Sequence, residues 1–574
     1  MNNLNPIYTE KTQCQDCYKC VRECPVKAIK IQNGTAAVIP EMCVLCGHCV
    51  DVCPAKAKKV RDELEKVESL LSSGKKVFVS LAPSFISEFN DWKPTQLIAA
   101  LKSLGFYAVS ETALGAQQVS AHVAQQLTLQ NGKIFISSAC PVVVDLITRY
   151  LPHFTSSITA LLSPMLSHCK LLRKKFGNDI GIIFIGPCIA KKREADGHPN
   201  LIDAAITFSD LRKWLSIKKV DPATFVPTET DIFVPGNAEE GALYPVDGGM
   251  AATIKANCSV NDSSFMTFSG LKNIINALDG LQNLSLDSNI FIEALACEGG
   301  CVNGPQAENR NCTAIKRFKI VNFSHYPRKK IPRSPSIPIN DFILDAAIEY
   351  KVFDQNEITN ALRQVGKILP QDELNCGGCG YDSCRDFAHA LLVGKAEKTM
   401  CVTFMRKLAQ NKARGLLRTM PSGVIIVDEE LKVIEMNRNF AKLFGPDTVS
   451  VFDSNPGMEG ASLEKIVPFH GLFTHVLQYA DDIIQRDIRV GNRILNGSIF
   501  TIEPHTVIGG VFADITAPSI QKEQIIRRSQ EIINKNLNMV QKIAYLLGEN
   551  ASESETVLTS IIQSFSGDMN NTVD

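Results

Sequence analysis

The chain has 574 residues, too many for one hydrophobic core; at about 150 residues per domain it divides into roughly four. Sixty Lys and Arg balance 60 Asp and Glu at a pI near 7.1, so net charge points to neither nucleic acid nor a membrane surface as partner. The opening MNNLNPIYTEKTQ has no apolar h-region and no run of 18 apolar residues follows, so the expectation is a cytoplasmic protein whose 19 cysteines bind metal rather than form disulfides.

Two cysteine groups lie at the N-terminus. Cys14, Cys17, Cys20 and Cys24-Pro25 follow a C-x2-C-x2-C-x3-C-P spacing, and Cys43, Cys46, Cys49 and Cys53-Pro54 repeat it. Two-residue gaps let one chain wrap three corners of a cubane, and the fourth cysteine of each run ligates the other cluster in two-cluster ferredoxins. The expected sets are therefore Cys14, Cys17, Cys20 with Cys53, and Cys43, Cys46, Cys49 with Cys24. A pair of structural zinc sites is the alternative, disfavoured by the doubled spacing and both prolines. Residues 1–62 are assigned to this two-cluster 4Fe–4S domain, which thiolate ligation helps to fold.

Residues 63–323 read as an α/β core. KKVFVSLAP, GKIFISSACP, DIGIIFIGPC and SNIFIEALAC are apolar strand-like runs separated by helical patterns. Ligands bind at the carboxyl ends of strands in open α/β sheets, so the loops carrying Cys140, Cys188, Cys297 and Cys301 are expected to converge.

SSACP, IGPCIAKKRE and EALACEGGCVNGP, with LAPS at 81–84 before them, resemble the signature segments of FeFe hydrogenases in order. The resemblance implies that Cys140, Cys188, Cys297 and Cys301 hold the 4Fe–4S half of an H-cluster, with Cys301 bridging to its diiron half. It also implies that Lys191 and Ser84 donate to the two cyanides of that half. A lysine solvated within the basic run KKR is the plainer reading of Lys191. Several positions depart from the catalytic pattern. Ala139 stands where the family's proton-shuttling cysteine lies, and residues 112–135 contain no Asp or Glu for a relay. Met165 replaces a glutamine, and Gly186 and Leu295 replace methionines. A methyl group carries no proton, and relay groups contribute about 10²–10⁴ each in rate.

Pro327, Pro332, Pro335 and Pro338 mark residues 324–340 as a linker. Within 341–410, NCGGCGYDSC supplies Cys376, Cys379 and Cys384, and Cys401 follows a helical stretch. A third 4Fe–4S cluster is the favoured reading of that small helical domain, with zinc as its rival. Residues 411–516 resemble a PAS domain in LLRTMPSGVIIVDEELKVIEMNRNFAKLFG and IFTIEPHTVIGGVFADIT. His470, His475 and His505 within it are weak haem candidates. In 517–574, Ile525, Ile526, Ile532, Ile533, Val540 and Leu547 suit either a short coiled coil or a helix lying back on the PAS sheet.

The whole reads as a multidomain α/β and α+β chain resembling the sensory, PAS-containing subgroup of FeFe hydrogenases. Expected partners are hydrogen and protons, a ferredoxin-like redox partner, a kinase or phosphatase downstream, and a second copy in a homodimer. The alternatives are a slow ferredoxin-linked hydrogenase with PAS as a dimerisation module, and an iron–sulfur trafficking protein without the diiron site. Cys169, Cys258 and Cys312 remain outside the four groups, and Cys169 in SHCK is the one expected near the active site. Four cubanes and a diiron unit predict about 18 irons per chain, measured after anaerobic reconstitution and maturation. Fewer than about 12, or zinc in place of a cubane, contradicts the ligand sets.

Overall fold

With few apolar residues before residue 60, local structure there is short and is set by turns. In the computed structural model β1 (Ile7–Thr9) pairs antiparallel with β4 (Lys58–Val60), and β2 (Ile29–Gln32) with β3 (Thr35–Val38). Asn33 and Gly34 both take positive φ, the requirement of the tight hairpin turn between β2 and β3. Helical turns at Lys19–Arg22 and His48–Asp51 each begin after a left-handed residue, Tyr18 and Gly47. The structure describes residues 5–257, 263–281, 286–309, 311–324, 327–479, 483–516, 531–543 and 545, in two compact units, 1–397 and 398–574.

The remainder of the first unit is built on parallel strands. These are β5 (Val77–Leu81), β6 (Ala108–Glu111), β7 (Ile134–Ile136), β8 (Gly181–Gly186), β9 (Ala204–Thr207), β10 (Ser263–Ser269) and β11 (Asn289–Leu295). The four strands expected from sequence do not share one sheet. β5 and β8 lie in a sheet of order β6-β5-β8-β9, whereas β7 and β11 lie in a second of order β10-β11-β7. Every residue of β5, β8 and β11 is buried, which explains their unbroken apolar runs: helices cover both faces. The short β6 and β9 escaped the sequence reading because Ala, Ser and Glu dilute their pattern.

The proline-rich stretch is no free linker. Ile337 and Ile339 are buried in the core, and the Leu162 N–H donates to the Ile339 carbonyl at 2.8 Å. Arg333 pairs with Glu240, and the Ser336 N–H donates to Gln118 Oε1. Prolines cannot join a ladder as donors, so the segment crosses the surface as a strap rather than a strand. Beyond it, helices Gln355–Arg363 and Cys384–Leu392 start at capping boxes, Asp354 with Glu357 and Ser383 with Asp386. They bury Ile358, Leu362 and Ala388 between them.

In the second unit a helix, Val402–Thr419, precedes β12 (Gly423–Val427), β13 (Val433–Met436), β14 (Ile483–Val490), β15 (Arg493–Glu503) and β16 (Val507–Asp514). These strands form one antiparallel sheet of order β13-β12-β16-β15-β14. Asn437 caps the following helix, Arg438–Leu443. Its Oδ1 accepts from Val424 and Phe440 N–H groups, and its Nδ2 donates to the Leu417 and Ser422 carbonyls. Rings fill the concave side: Phe440, Phe444, Phe469, Phe473 and Phe512 contact one another. His475 packs on Tyr479 and the His505 ring bonds the Leu477 carbonyl, so neither faces a shared ligand site with the other.

The described part of the C-terminal segment is helical over residues 531–543 and lies on the sheet. Val540 and Ile543 pack with Val424, Phe500 and Val511, and Asn536 Nδ2 donates to Ser422 Oγ. Ile525, Ile526, Leu547 and the apolar patch at 557–565 lie outside the described residues, as does Cys258. Among the described residues no helix is long and apolar enough to cross a membrane.

Candidate active site

Strand ends bring together the cysteines of the core. Cys140 caps the helix Pro141–Tyr150 after β7, Cys188 follows β8, and Cys297 and Cys301 follow β11. Cys140, Cys188 and Cys301 line one cavity of about 100 Å³ with Ser84, Ala139 and Lys191. Burial pushes the Cys188 thiol up to about 11, with Cys140 beside it adding. Burial also pushes Cys297 and Cys301 up, Cys297 reinforced by the other three thiols of this set and Cys301 by Cys140 and Cys188. Thiols crowded away from water resist ionising alone; iron supplies the missing positive charge.

Glycines fix the turn that presents Cys301. Gly299 and Gly300 have φ of +73° and +97°, and a Cβ on Gly300 would lie 2.3 Å from the Pro245 carbonyl oxygen. Gly115 plays a similar part behind the cavity, where a Cβ would meet the Pro164 carbonyl at 2.1 Å. That close approach sets the helix Pro164–Phe176 against the helix Ala113–Leu129 and brings Met165 to the cavity wall.

The polar donors are few and specific. Ser84 is 2% exposed, and its Oγ has no hydrogen-bond partner. Lys191 is not a solvated lysine: its ammonium donates to Ser163 Oγ at 2.9 Å and pairs with Glu194. An ammonium has three N–H donors, so one remains. Its neighbours are engaged too, Lys192 with Asp210 at 2.9 Å and Arg193 with Asp145. The donor set fits an anionic diiron group bound through Cys301: one thiolate, an unpartnered hydroxyl, an ammonium and an otherwise apolar wall.

That wall has no proton-carrying side chain where the family's relay would begin. Ala139, Met165 and Leu295 all line the cavity. At Gly186 a Cβ would lie 2.5 Å from the ring of Phe184, which lines the cavity instead. Sequence reading saw a lost methionine there and missed the ring, because Phe184 lies two residues earlier on the same strand face. It also missed a buried polar chain, in which Thr112 Oγ1 bonds Ser80 Oγ, and Ser80 and Ser110 bond the two nitrogens of His168. Nor did it find Glu111 and Glu293, which burial raises to about 7. Cys169 is buried in the core, with Lys191 and Glu194 among its charged neighbours, but does not line the cavity; Cys312 is exposed.

In the N-terminal domain Cys14, Cys17, Cys20 and Cys53 line one small cavity. Burial dominates the upward shifts of Cys43, Cys46 and Cys49, and Cys24 is among the thiols adding to each. N–H groups of Ala28, Leu45 and Ala57 donate to the sulfurs of Cys24, Cys43 and Cys53 at 3.3–3.4 Å. Both sets thus gather four thiols. Gly47 seats the domain on the core: a Cβ there would lie 2.4 Å from Pro305 and 2.9 Å from Ile189. Arg149 and Arg193 donate to the Cys43 carbonyl, and Cys46 shares a cleft with Cys297.

Cys376 and Cys379 lie on one loop, with Gly377 and Gly380 at φ of +70° and +90°, and Cys384 opens the helix Cys384–Leu392 that follows. The Cys384 N–H donates to Asn375 Oδ1 at 2.8 Å. Cys401 is buried and caps the helix Val402–Thr419 in the second unit.

Comparison with known proteins places names on these parts. Residues 75–305 match the family model "Iron only hydrogenase large subunit, C-terminal domain", and residues 13–57 match "4Fe-4S dicluster domain". Residues 369–403 match "Putative Fe-S cluster" and 411–482 match "PAS domain". The chain is 26% identical over 384 residues to iron hydrogenase 1 of Clostridium pasteurianum, covering 55% of this chain and 67% of that one. An FeFe hydrogenase structure from Chlamydomonas reinhardtii aligns over 48% of this chain and 91% of that one, at 18% identity and a TM-score of 0.37. The PAS domain of BvgS from Bordetella pertussis aligns over 22% and 97%, at 13% identity and a TM-score of 0.15.

Gly300→Ala tests whether this turn places the site. With backbone strain of about 1–3 kcal/mol and a direct clash, the core should lose its cluster iron while the N-terminal cubanes remain. Iron analysis beside the cubane electron paramagnetic resonance (EPR) signals reads both; full iron in the variant contradicts the turn's role.

Proposed function

We propose that this chain, which carries an iron-only hydrogenase domain, a 4Fe–4S dicluster domain and a PAS domain, is a hydrogen sensor with slow, reversible turnover. Cys140, Cys188, Cys297 and Cys301 would hold an H-cluster, and that group supplies the chemistry of splitting or forming hydrogen. Around it, Lys191 and Ser84 orient and neutralise the diiron half, and the close glycine contacts keep water out. The cubane sets are Cys14, Cys17, Cys20, Cys53; Cys24, Cys43, Cys46, Cys49; and, on sequence spacing, Cys376, Cys379, Cys384, Cys401. One observation carries the sensory reading: the cavity keeps its donors yet has side chains that carry no proton at Ala139, Met165 and Leu295. Such a site binds its ligand well and delivers protons poorly. Ala139→Cys restores a thiol at the relay position and should raise turnover in the maturated protein. Wild-type turnover matching fast catalytic hydrogenases would sink the argument from Ala139.

A ligand shifts a conformational equilibrium only through differential affinity for two states. Hydrogen is too small to contact both core and PAS domain, so a change of charge must carry the difference. Cys401 stands at a helix N-terminus, where added negative charge stabilises the first turn by about 0.3–1 kcal/mol, up to roughly fivefold in a two-state balance. A downstream kinase or phosphatase, and a homodimer built on the PAS region, belong to the same reading. The competing reading, a slow hydrogenase with a passive PAS module, draws on Glu111 and Glu293, whose pKa, raised by burial to about 7, suits proton transfer near neutral pH. Hydrogen–deuterium exchange under hydrogen and under nitrogen separates the two. Protection should change at 402–420 and 531–543 and the change should vanish in Cys384→Ser; identical exchange in both gases favours the enzyme.

A further inference from the structure

The loop and helix after Cys376 are fastened to the N-terminal domain on both sides of Cys24. Arg22 Nη1 donates to the Gly378 carbonyl at 3.5 Å, and a Cβ on Gly380 would lie 3.0 Å from the Arg22 nitrogen and from Val21. On the other side the Ile31 N–H donates to the Lys395 carbonyl at 2.9 Å, and the Asn33 N–H donates to Glu397 at 2.6 Å. Between these fastenings Tyr381 and Lys395 share a cleft of about 540 Å³ with Pro25, the residue after Cys24.

Tyr381 is 5% exposed, and its hydroxyl has no hydrogen-bond partner. The contrast is Tyr150 in the same cleft, whose hydroxyl donates to the Met42 carbonyl at 2.6 Å. Burial chiefly perturbs both Tyr381 and Lys395, and Cys24 is among the charged neighbours of each; for Tyr381, Cys379 is another. Leaving a buried hydroxyl unpaired costs about 1–3 kcal/mol, so an acceptor is expected where it points. A cysteine-ligated cubane offers sulfur acceptors, and hydrogen bonds and nearby charge to those sulfurs set its potential.

We infer that Tyr381 and Lys395 donate toward the sulfur shell of the cubane on Cys24, Cys43, Cys46 and Cys49, raising its reduction potential. The inference rests on the reading that these four cysteines hold a cubane. Reduction adds negative charge, which strengthens a phenolic donor and an ammonium alike, so both favour the reduced form. Because Cys46 shares a cleft with Cys297, the cubane so tuned is the one beside the active site. The third cysteine region therefore acts on electron flow through its own side chains, as well as through any cluster it holds.

The test is an anaerobic redox titration of the full-length reconstituted protein followed by EPR, with the relevant signal identified by its loss in Cys46→Ser. Tyr381→Phe keeps the ring and Lys395→Met keeps the stem, so both should retain wild-type iron. Each should lower the reduction equilibrium constant of that one cubane three- to tenfold, where tenfold is 59 mV for one electron, and leave the other cubanes in place. Lys395→Arg should restore the wild-type value. Wild-type titration in both variants, with the signal present, overturns the inference; no signal dependent on Cys46 overturns the ligand set beneath it.

Discussion

The structure depends on thiols held out of water in groups. All but Cys169, Cys258 and Cys312 of the 19 cysteines fall into four motif groups, and the first three of these gather buried or half-buried sulfur. In the two groups nearest the site, desolvation and mutual repulsion push Cys43, Cys46, Cys49, Cys188, Cys297 and Cys301 upward. Neither effect stabilises an empty fold. Both become favourable once iron binds, so the free energy of cluster binding is folding energy for these segments. Other features serve this constraint. Gly47 and Gly300 allow approaches no side chain would permit, and the N–H groups of Ala28, Leu45 and Ala57 stabilise the sulfurs they face.

Ligand groups were legible in the sequence because cysteine spacing encodes local geometry. Two residues between thiols, a proline after the fourth and glycines at 299, 300, 377 and 380 constrain the backbone within a few residues. The PAS opening was legible for the same reason, since Asn437 satisfies four groups, all within twenty residues. What stayed hidden depends on residues far apart in the chain. Division of the four expected strands between two sheets cannot be read from their apolar runs, which look alike in either. Strapping of residues 327–340 across the core depends on Ile337 and Ile339, two apolar residues among prolines and charges. Lys191 was singled out by resemblance as a donor, but only the fold supplies Glu194, Asp210 and Asp145 as partners of Lys191, Lys192 and Arg193.

Tertiary packing also explains how the cavity tolerates its substitutions. Gly186 would leave a void beside the diiron position if the rest of the wall were unchanged. The Phe184 ring occupies that space at a distance no Cβ could share, and it lines the cavity from the same strand face. The interior there stays close-packed, with an aromatic ring beside the Met165 thioether at the cavity wall.

From Thr112 at the cavity wall a chain runs through Ser80 and His168 to Ser110, and its chemistry decides whether it could replace the missing relay. His168 is fully buried, and desolvation lowers its pKa to about 3. Charging it at pH 7 costs about 5 kcal/mol, since each unit is 1.36 kcal/mol. A proton held at that cost is delivered rarely. The chain is better understood as a lock: neutral His168 joins β5 and β6 to the helix bearing Met165, with both ring nitrogens satisfied. Glu111 and Glu293, near 7, are the buried groups able to gain and lose protons without that penalty, yet neither lines the cavity. A proton from either carboxyl must therefore pass through other groups to reach the cavity, whose hydroxyl-bearing lining residues are Ser84, Thr112 and Tyr244.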